Sequence, residues 1–104
     1  MEMKNNTVVV NIREEVCDVF IARPSKWGNP FVVGEDGNRN QVIIKYEEWI
    51  RQQPNLLEAL SELVNKRLGC FCWPRRCHGE ILIKLLIEFG LIEKQEDEED
   101  FSWK

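Results

Sequence analysis

Three short apolar runs, separated by stretches of a different period, constrain the fold of this chain more than any single motif does. Thr7-Val8-Val9-Val10-Asn11-Ile12 is brief and rich in β-branched residues, which predicts a first strand. Cys17-Asp18-Val19-Phe20-Ile21-Ala22 predicts a second, and Arg67-Leu68-Gly69-Cys70-Phe71-Cys72 a third. Between the second and third runs the period becomes helical. Val42, Tyr46, Trp49 and Ile50 mark an amphipathic helix over residues 39 to 52. Pro54 suits the first turn of another helix, in which Leu56, Leu57, Leu60, Leu63 and Val64 form an apolar stripe ending near Lys66. A final helix opening at Cys77 or His78 carries Ile81, Leu82, Leu85, Leu86 and Phe89 and stops at Gly90. Helices placed between strands predict an α/β fold, a small three-layer Rossmann-like domain with a short, mostly parallel sheet and right-handed crossovers.

A chain of 104 residues has room for one domain, burying about two thirds of its unfolded surface. No apolar run approaches the roughly 18 residues that cross a bilayer, and the N-terminus Met1-Glu2-Met3-Lys4-Asn5-Asn6 has no apolar signal region. The reading is a cytosolic protein without a membrane partner, whose four cysteines are thiols or metal ligands rather than disulfides. Its net charge of -4 is concentrated at one end. Residues 93–100 (EKQEDEED) hold six acids and one lysine, so residues 1–92 balance to zero. We therefore divide the chain into a single domain, residues 1–92, and an acidic tail, residues 93–104, in which Phe101 and Trp103 could dock locally or on a neighbouring copy. A neutral body argues against duplex nucleic acid, which calls for a basic face. It leaves room for a small anionic ligand held by a few local cations.

The segment Arg23-Pro24-Ser25-Lys26-Trp27-Gly28-Asn29-Pro30-Phe31 fits neither a helix nor a strand interior. Two prolines fix the backbone around the turn-permissive Gly28 and Asn29, which predicts a stiff, irregular loop at the end of the second strand. Ligands of open α/β sheets bind at strand ends. Arg13, Arg23 and Arg75 each follow a predicted strand, so a parallel sheet gathers three guanidinium groups on one rim, a cluster of phosphate size. Trp27 or Phe31 can stack on a base, and Asn29 can read its edge. The competing reading makes Trp27 and Phe31 core plugs, pairs Arg23 with a carboxylate and spends Asn29 on a turn.

Cys70-Phe71-Cys72-Trp73-Pro74-Arg75-Arg76-Cys77-His78 is the second chemical cluster. Three thiols and the single histidine could close a tetrahedral zinc site. Against zinc, Cys70 and Cys72 share one strand face while Cys77 and His78 open a helix beyond a loop, and structural sites more often use paired knuckles. Cys70 and Cys72 can equally be small core residues. A third reading is an anion site, in which Arg75 and Arg76 and the amides of the helix start attract phosphate. The same field would lower the Cys77 pKa and favour it as a nucleophile. Consecutive helical residues point about 100 degrees apart, so a Cys77–His78 dyad is disfavoured, and His78 is better read as a donor to ligand.

Asn11-Ile12-Arg13, then Ile21-x-Arg23-Pro24-Ser25-x-Trp27-Gly28-Asn29-Pro30-Phe31, then a helix with Tyr46 and Trp49, then Cys70-x-Cys72-x4-Cys77-His78 together resemble a phage-associated family catalogued as domain of unknown function 4326. The resemblance runs from about Val8 to Leu86. It implies a compact α/β domain, often encoded by phages or bacteria, and no established reaction. The residues expected to contact a ligand are Asn11, Arg13, Arg23, Lys26, Trp27, Asn29, Phe31, Arg75, Arg76 and His78. The favoured function is binding of a nucleotide or nucleotide-derived signal. The phage setting implied by the resemblance makes sequestration of a host immune messenger in the host cytosol one such role. A homodimer is the expected assembly, because so small a domain encloses a site most readily with a second copy. No cofactor or resident metal is assigned. The alternatives are a nucleotide- or nucleoside-processing enzyme using Cys77, His78 or Glu80, and a zinc-stabilised interaction protein.

Overall fold

A computed structural model of the protein describes residues 7–72 and 75–93. The tail beyond Glu93, with Phe101 and Trp103, and the Trp73-Pro74 step lie outside the described residues. The elements run β1 (Val8–Asn11), β2 (Val19–Phe20), α1 (Arg39–Ile50), α2 (Pro54–Glu58), a 3-10 helix (Ala59–Leu63), β3 (Arg67–Cys70) and α3 (Gly79–Glu88). The three strands form one parallel sheet in the order β1-β3-β2, with Val9 opposite Leu68 and Phe20 opposite Gly69. The predicted α/β class and parallel sheet are thus realised, with β3 at the centre.

The apolar periods decide the faces. Val9, Leu68, Cys70 and Ile21 share one buried cluster with Ile43, Tyr46 and Ile50 of α1, Leu60 and Leu63 of the 3-10 helix, and Leu82, Leu85 and Leu86 of α3. All the helices therefore pack on one side of the sheet. On the other side, the connection from β1 to β2 crosses β3. A Cβ on Gly69 would lie 2.4 Å from Ile12 Cγ2 and 2.5 Å from Cys17 Sγ, so the absence of a side chain at Gly69 lets this strap lie flat. Asp18 ends the strap by donating its amide to the Arg67 carbonyl and accepting the Arg67 amide on its carboxylate, each at 2.8 Å. The third layer of the domain is this strap rather than a helix.

Helix α1 begins with a reciprocal cap. Asn38 Oδ1 accepts the Gln41 amide at 2.9 Å, and Gln41 Oε1 accepts the Asn38 amide at 2.8 Å. It ends at Ile50, two residues short of the predicted boundary. The single helix predicted from Pro54 to Lys66 divides at Ala59 into α2 and a 3-10 helix. Three residues per turn bring Leu60 and Leu63 onto one side, and both are fully buried. The buried Thr7 hydroxyl then donates to the Leu63 carbonyl at 3.0 Å and accepts the Asn65 amide at 2.7 Å, tying this turn to the start of β1. At their C-terminal ends α1 and α3 are joined by Arg51, which donates two hydrogen bonds to Glu88, at 2.8 and 2.7 Å.

Replacing Gly69 with Ala should destabilise the domain by about 1–3 kcal/mol through overpacking beneath the strap. Urea unfolding with an unchanged slope checks this; an unaltered midpoint would mean that the strap yields freely.

Candidate functional site

A cavity of about 470 Å³ opens at the carboxyl edge of the sheet. Its walls come from the ends of β2 (Ala22, Arg23) and β3 (Cys70 to Cys72), the start of α1 (Arg39, Val42, Ile43), the approach to α3 (Arg76 to His78), and the loop stretch Asn29 and Phe31 to Val33. Parallel strands direct their carboxyl ends, and the following helices their amino ends, to the same edge of the sheet.

The proline-bracketed loop is held from below. Trp27 is 2% exposed and belongs to the core. Its carbonyl accepts the Tyr46 hydroxyl at 2.7 Å, and its amide donates to Ser25 Oγ at 3.2 Å. Burial pushes the Tyr46 phenol far above its ordinary range, so the hydroxyl stays a donor. Gly28 sits so close to Arg23 that a Cβ would lie 2.8 Å from the Arg23 main chain. Asn29 donates to the Val42 carbonyl at 3.1 Å and accepts the Phe31 amide at 2.9 Å.

These contacts revise several expected ligand residues. Trp27 is a core plug and does not line the cavity. Asn29 lines it, but backbone groups occupy both ends of its carboxamide, so it shapes the loop instead of reading a base. Lys26 Nζ lies 5.4 Å from the Trp27 ring centroid and 3.0 Å from Glu62, and Lys26 does not line the cavity. Asn11 caps the turn after β1, accepting the Arg13 amide at 2.9 Å. Arg13 lies 5.3 Å from the centroid of the Phe71 ring and does not itself line the cavity. Arg75 is exposed and off the lining. The expected trio of Arg13, Arg23 and Arg75 is replaced by Arg23, Arg39 and Arg76.

Arg39 and Phe71 were missing from the expected site. Arg39 donates to the Arg76 carbonyl at 3.2 Å. Arg76 donates to Glu80 at 3.3 Å and makes a short contact with Asn40. Arg23 pairs with no carboxylate among the described residues. A signal for Arg39 was present in the sequence: it follows the N-cap Asn38 directly, where the helix dipole disfavours a cation and no acid occupies the first turn. Phe71, 42% exposed, stands edge-on to Phe20 at 6.0 Å and offers an aromatic face at the rim. Phe31 also lines the cavity, with Lys45 Nζ 5.9 Å from its ring. No carboxylate lines the cavity among the described residues.

The remaining polar groups are neutral. Cys70 and Cys77 lie with their sulfurs 3.4 Å apart. The hydrogen bond to Cys70, with burial, pushes the Cys77 thiol far above its ordinary range. It is therefore protonated, contrary to the activated thiolate predicted from the helix start. His78 Nε2 lies 2.7 Å from the Ile21 carbonyl oxygen, and burial lowers the ring's pKa. Its N–H is spent on the sheet, which corrects the reading of His78 as a donor to ligand. No group of three or more His, Cys, Asp or Glu side chains able to hold a metal occurs among the described residues.

Sheet order and cavity define a minimal parallel α/β domain with arginines at the carboxyl edge of its sheet. The chain belongs to the family described as a domain of unknown function, DUF4326, whose model matches residues 5–88. It is 33% identical to uncharacterized protein R718 of Acanthamoeba polyphaga mimivirus, over 90% of this chain and 79% of that protein. It is also 35% identical to an uncharacterized 12.4 kDa protein from the nrdA-td intergenic region of Enterobacteria phage T4, over 75% of each chain. No solved structure matches. No helix among the described residues is long and apolar enough to cross a membrane.

Replacing Trp27 with Ala should cost about 3–5 kcal/mol of stability, as for other buried aromatic truncations. Chemical denaturation measures it, and a loss below about 1 kcal/mol would return Trp27 to the ligand side of the loop.

Proposed function

We propose that the cavity binds a nucleotide or nucleotide-derived small molecule. One observation carries the reading: in a chain of net charge -4, the cavity is lined by three arginines and no described carboxylate, beside an apolar wall that includes Phe31 and Phe71. A ligand complementary to such walls has an anionic group and a flat apolar part. Guanidinium forks match phosphate oxygens, and aromatic faces match bases. The volume lies within the roughly 300–1,000 Å³ usual for small-ligand sites. Among viral proteins such as the relatives above, this binding would serve to withdraw a host nucleotide messenger from use. Turnover has less support, because Cys77 is protonated and Glu80 is engaged by Arg76.

Thermal unfolding with nucleoside mono- and diphosphates, cyclic nucleotides and ADP-ribose tests the proposal. A ligand at a hundred times its Kd adds about 2.7 kcal/mol, a shift of several degrees. Arg23→Ala should abolish that shift and leave the unliganded melting temperature within about 2 °C, since Arg23 is exposed. Recovery of unaltered nucleotide from the denatured complex separates binding from turnover. A panel in which nothing stabilises the protein would sink the reading.

A further inference from the structure

His78 is the single histidine of the chain, and it faces the sheet and the cavity together. The residue is 8% exposed, and its ring stands edge-on to Tyr46, with 4.9 Å between centroids. The Ile21 carbonyl, 2.7 Å from Nε2, can only accept, so Nε2 carries the proton. Burial above all, and the positive charge of Arg23, oppose a second proton on the ring, and the bond to Ile21 offsets them only in part. Nδ1 is left with a lone pair that meets no donor among the described residues. An unmet buried acceptor costs about 1–3 kcal/mol. Beside a cavity, that cost falls away when a ligand supplies the donor.

The charges of the wall are equally specific. Arg76 is offset by Glu80 at 3.3 Å. Arg39 has used one N–H on a carbonyl oxygen, and Arg23 faces no described carboxylate. Two guanidinium groups remain for an anion, the count that matches a phosphomonoester dianion. A triphosphate would bring more negative charge than this wall compensates.

We infer that His78 determines specificity in this cavity: the ligand is a phosphomonoester, held by Arg23 and Arg39, whose organic part donates an N–H or O–H to His78 Nδ1. A nucleoside monophosphate is of this class. The inference rests on the binding function proposed above and adds the ligand's charge and a required donor.

Protein labelled with ¹⁵N in its single imidazole gives one pair of ring-nitrogen resonances. AMP, GMP, CMP and UMP are titrated in turn, with calorimetry reporting binding independently. Without nucleotide, Nε2 should be protonated and Nδ1 bare. With the bound monophosphate, the Nδ1 resonance should move toward its hydrogen-bonded position while Nε2 keeps its proton. His78→Phe should weaken that nucleotide at least about tenfold, and His78→Asn, which restores an acceptor near the Nδ1 position, should recover part of the loss. The resonances are read on the unaltered protein, so the test stands even where His78→Phe does not fold. A monophosphate that binds without moving Nδ1, or a protonated Nδ1 in the free protein, overturns the role of His78 and spares the binding proposal. Binding by another nucleotide and none of the four monophosphates overturns the ligand class alone. If nothing binds, both fall.

Discussion

The geometry of the cavity depends on the buried hydrogen bond from the Tyr46 hydroxyl to the Trp27 carbonyl. An irregular loop between two prolines has no ladder to fix it. Here a large aromatic side chain is sunk into the core, and the same residue's carbonyl is grasped by the middle of α1. Apolar burial and a polar contact act on one residue, each making the other stricter. Arg23, Asn29 and Phe31 lie within four residues of Trp27 and take their places from it. Gly28 completes the arrangement, because only hydrogen fits against the Arg23 backbone.

The electrostatics of the site follow from segregation. The body of the chain carries no net charge in the sequence, yet arginines of three separate segments meet at one edge of the sheet. Among the described residues, Glu80 pairs with one of them, Arg76, and no carboxylate lines the cavity. Cys77 is held neutral by its hydrogen bond to Cys70 and by burial, and His78 by burial and the nearby charge of Arg23, against the opposing pull of its bond to Ile21. The cavity wall is therefore cationic through its arginines alone, and its histidine contributes shape and a lone pair instead of charge.

Much of the fold was legible in the chain, and the site only in part. Each apolar run became a strand and each helical period a helix, because burial on one face imposes those periods. The runs overshot the strands where flanking apolar residues had other tasks. Cys17 belongs to the strap, and Phe71 leaves β3 for the rim. The break at Ala59 was hidden because Leu60 and Leu63 satisfy α-helical and 3-10 spacing alike. In the site, the position of the Arg23–Phe31 loop at the end of β2 was readable, whereas the direction of each side chain was not. Trp27 turned inward and Lys26 outward under tertiary contacts with Tyr46 and Glu62. Arg13 and Arg75 were expected because they follow strands, but strand ends fix an edge and not an orientation. Arg39 was visible only as a breach of a helix-end rule.

The sheet order has a consequence for how the domain comes into being. β1 and β2 never touch each other; each pairs only with β3, which enters between them and lies late in the chain. On a ribosome, more than half of the polypeptide must emerge before either early strand finds a hydrogen-bonding neighbour. Local helices can form in that interval, but the sheet cannot. Loops of this length must be closed before any ladder contact repays them. The sheet, and with it the edge that carries the cavity, therefore depends on four residues, Arg67 to Cys70, which supply the ladder partners of both early strands.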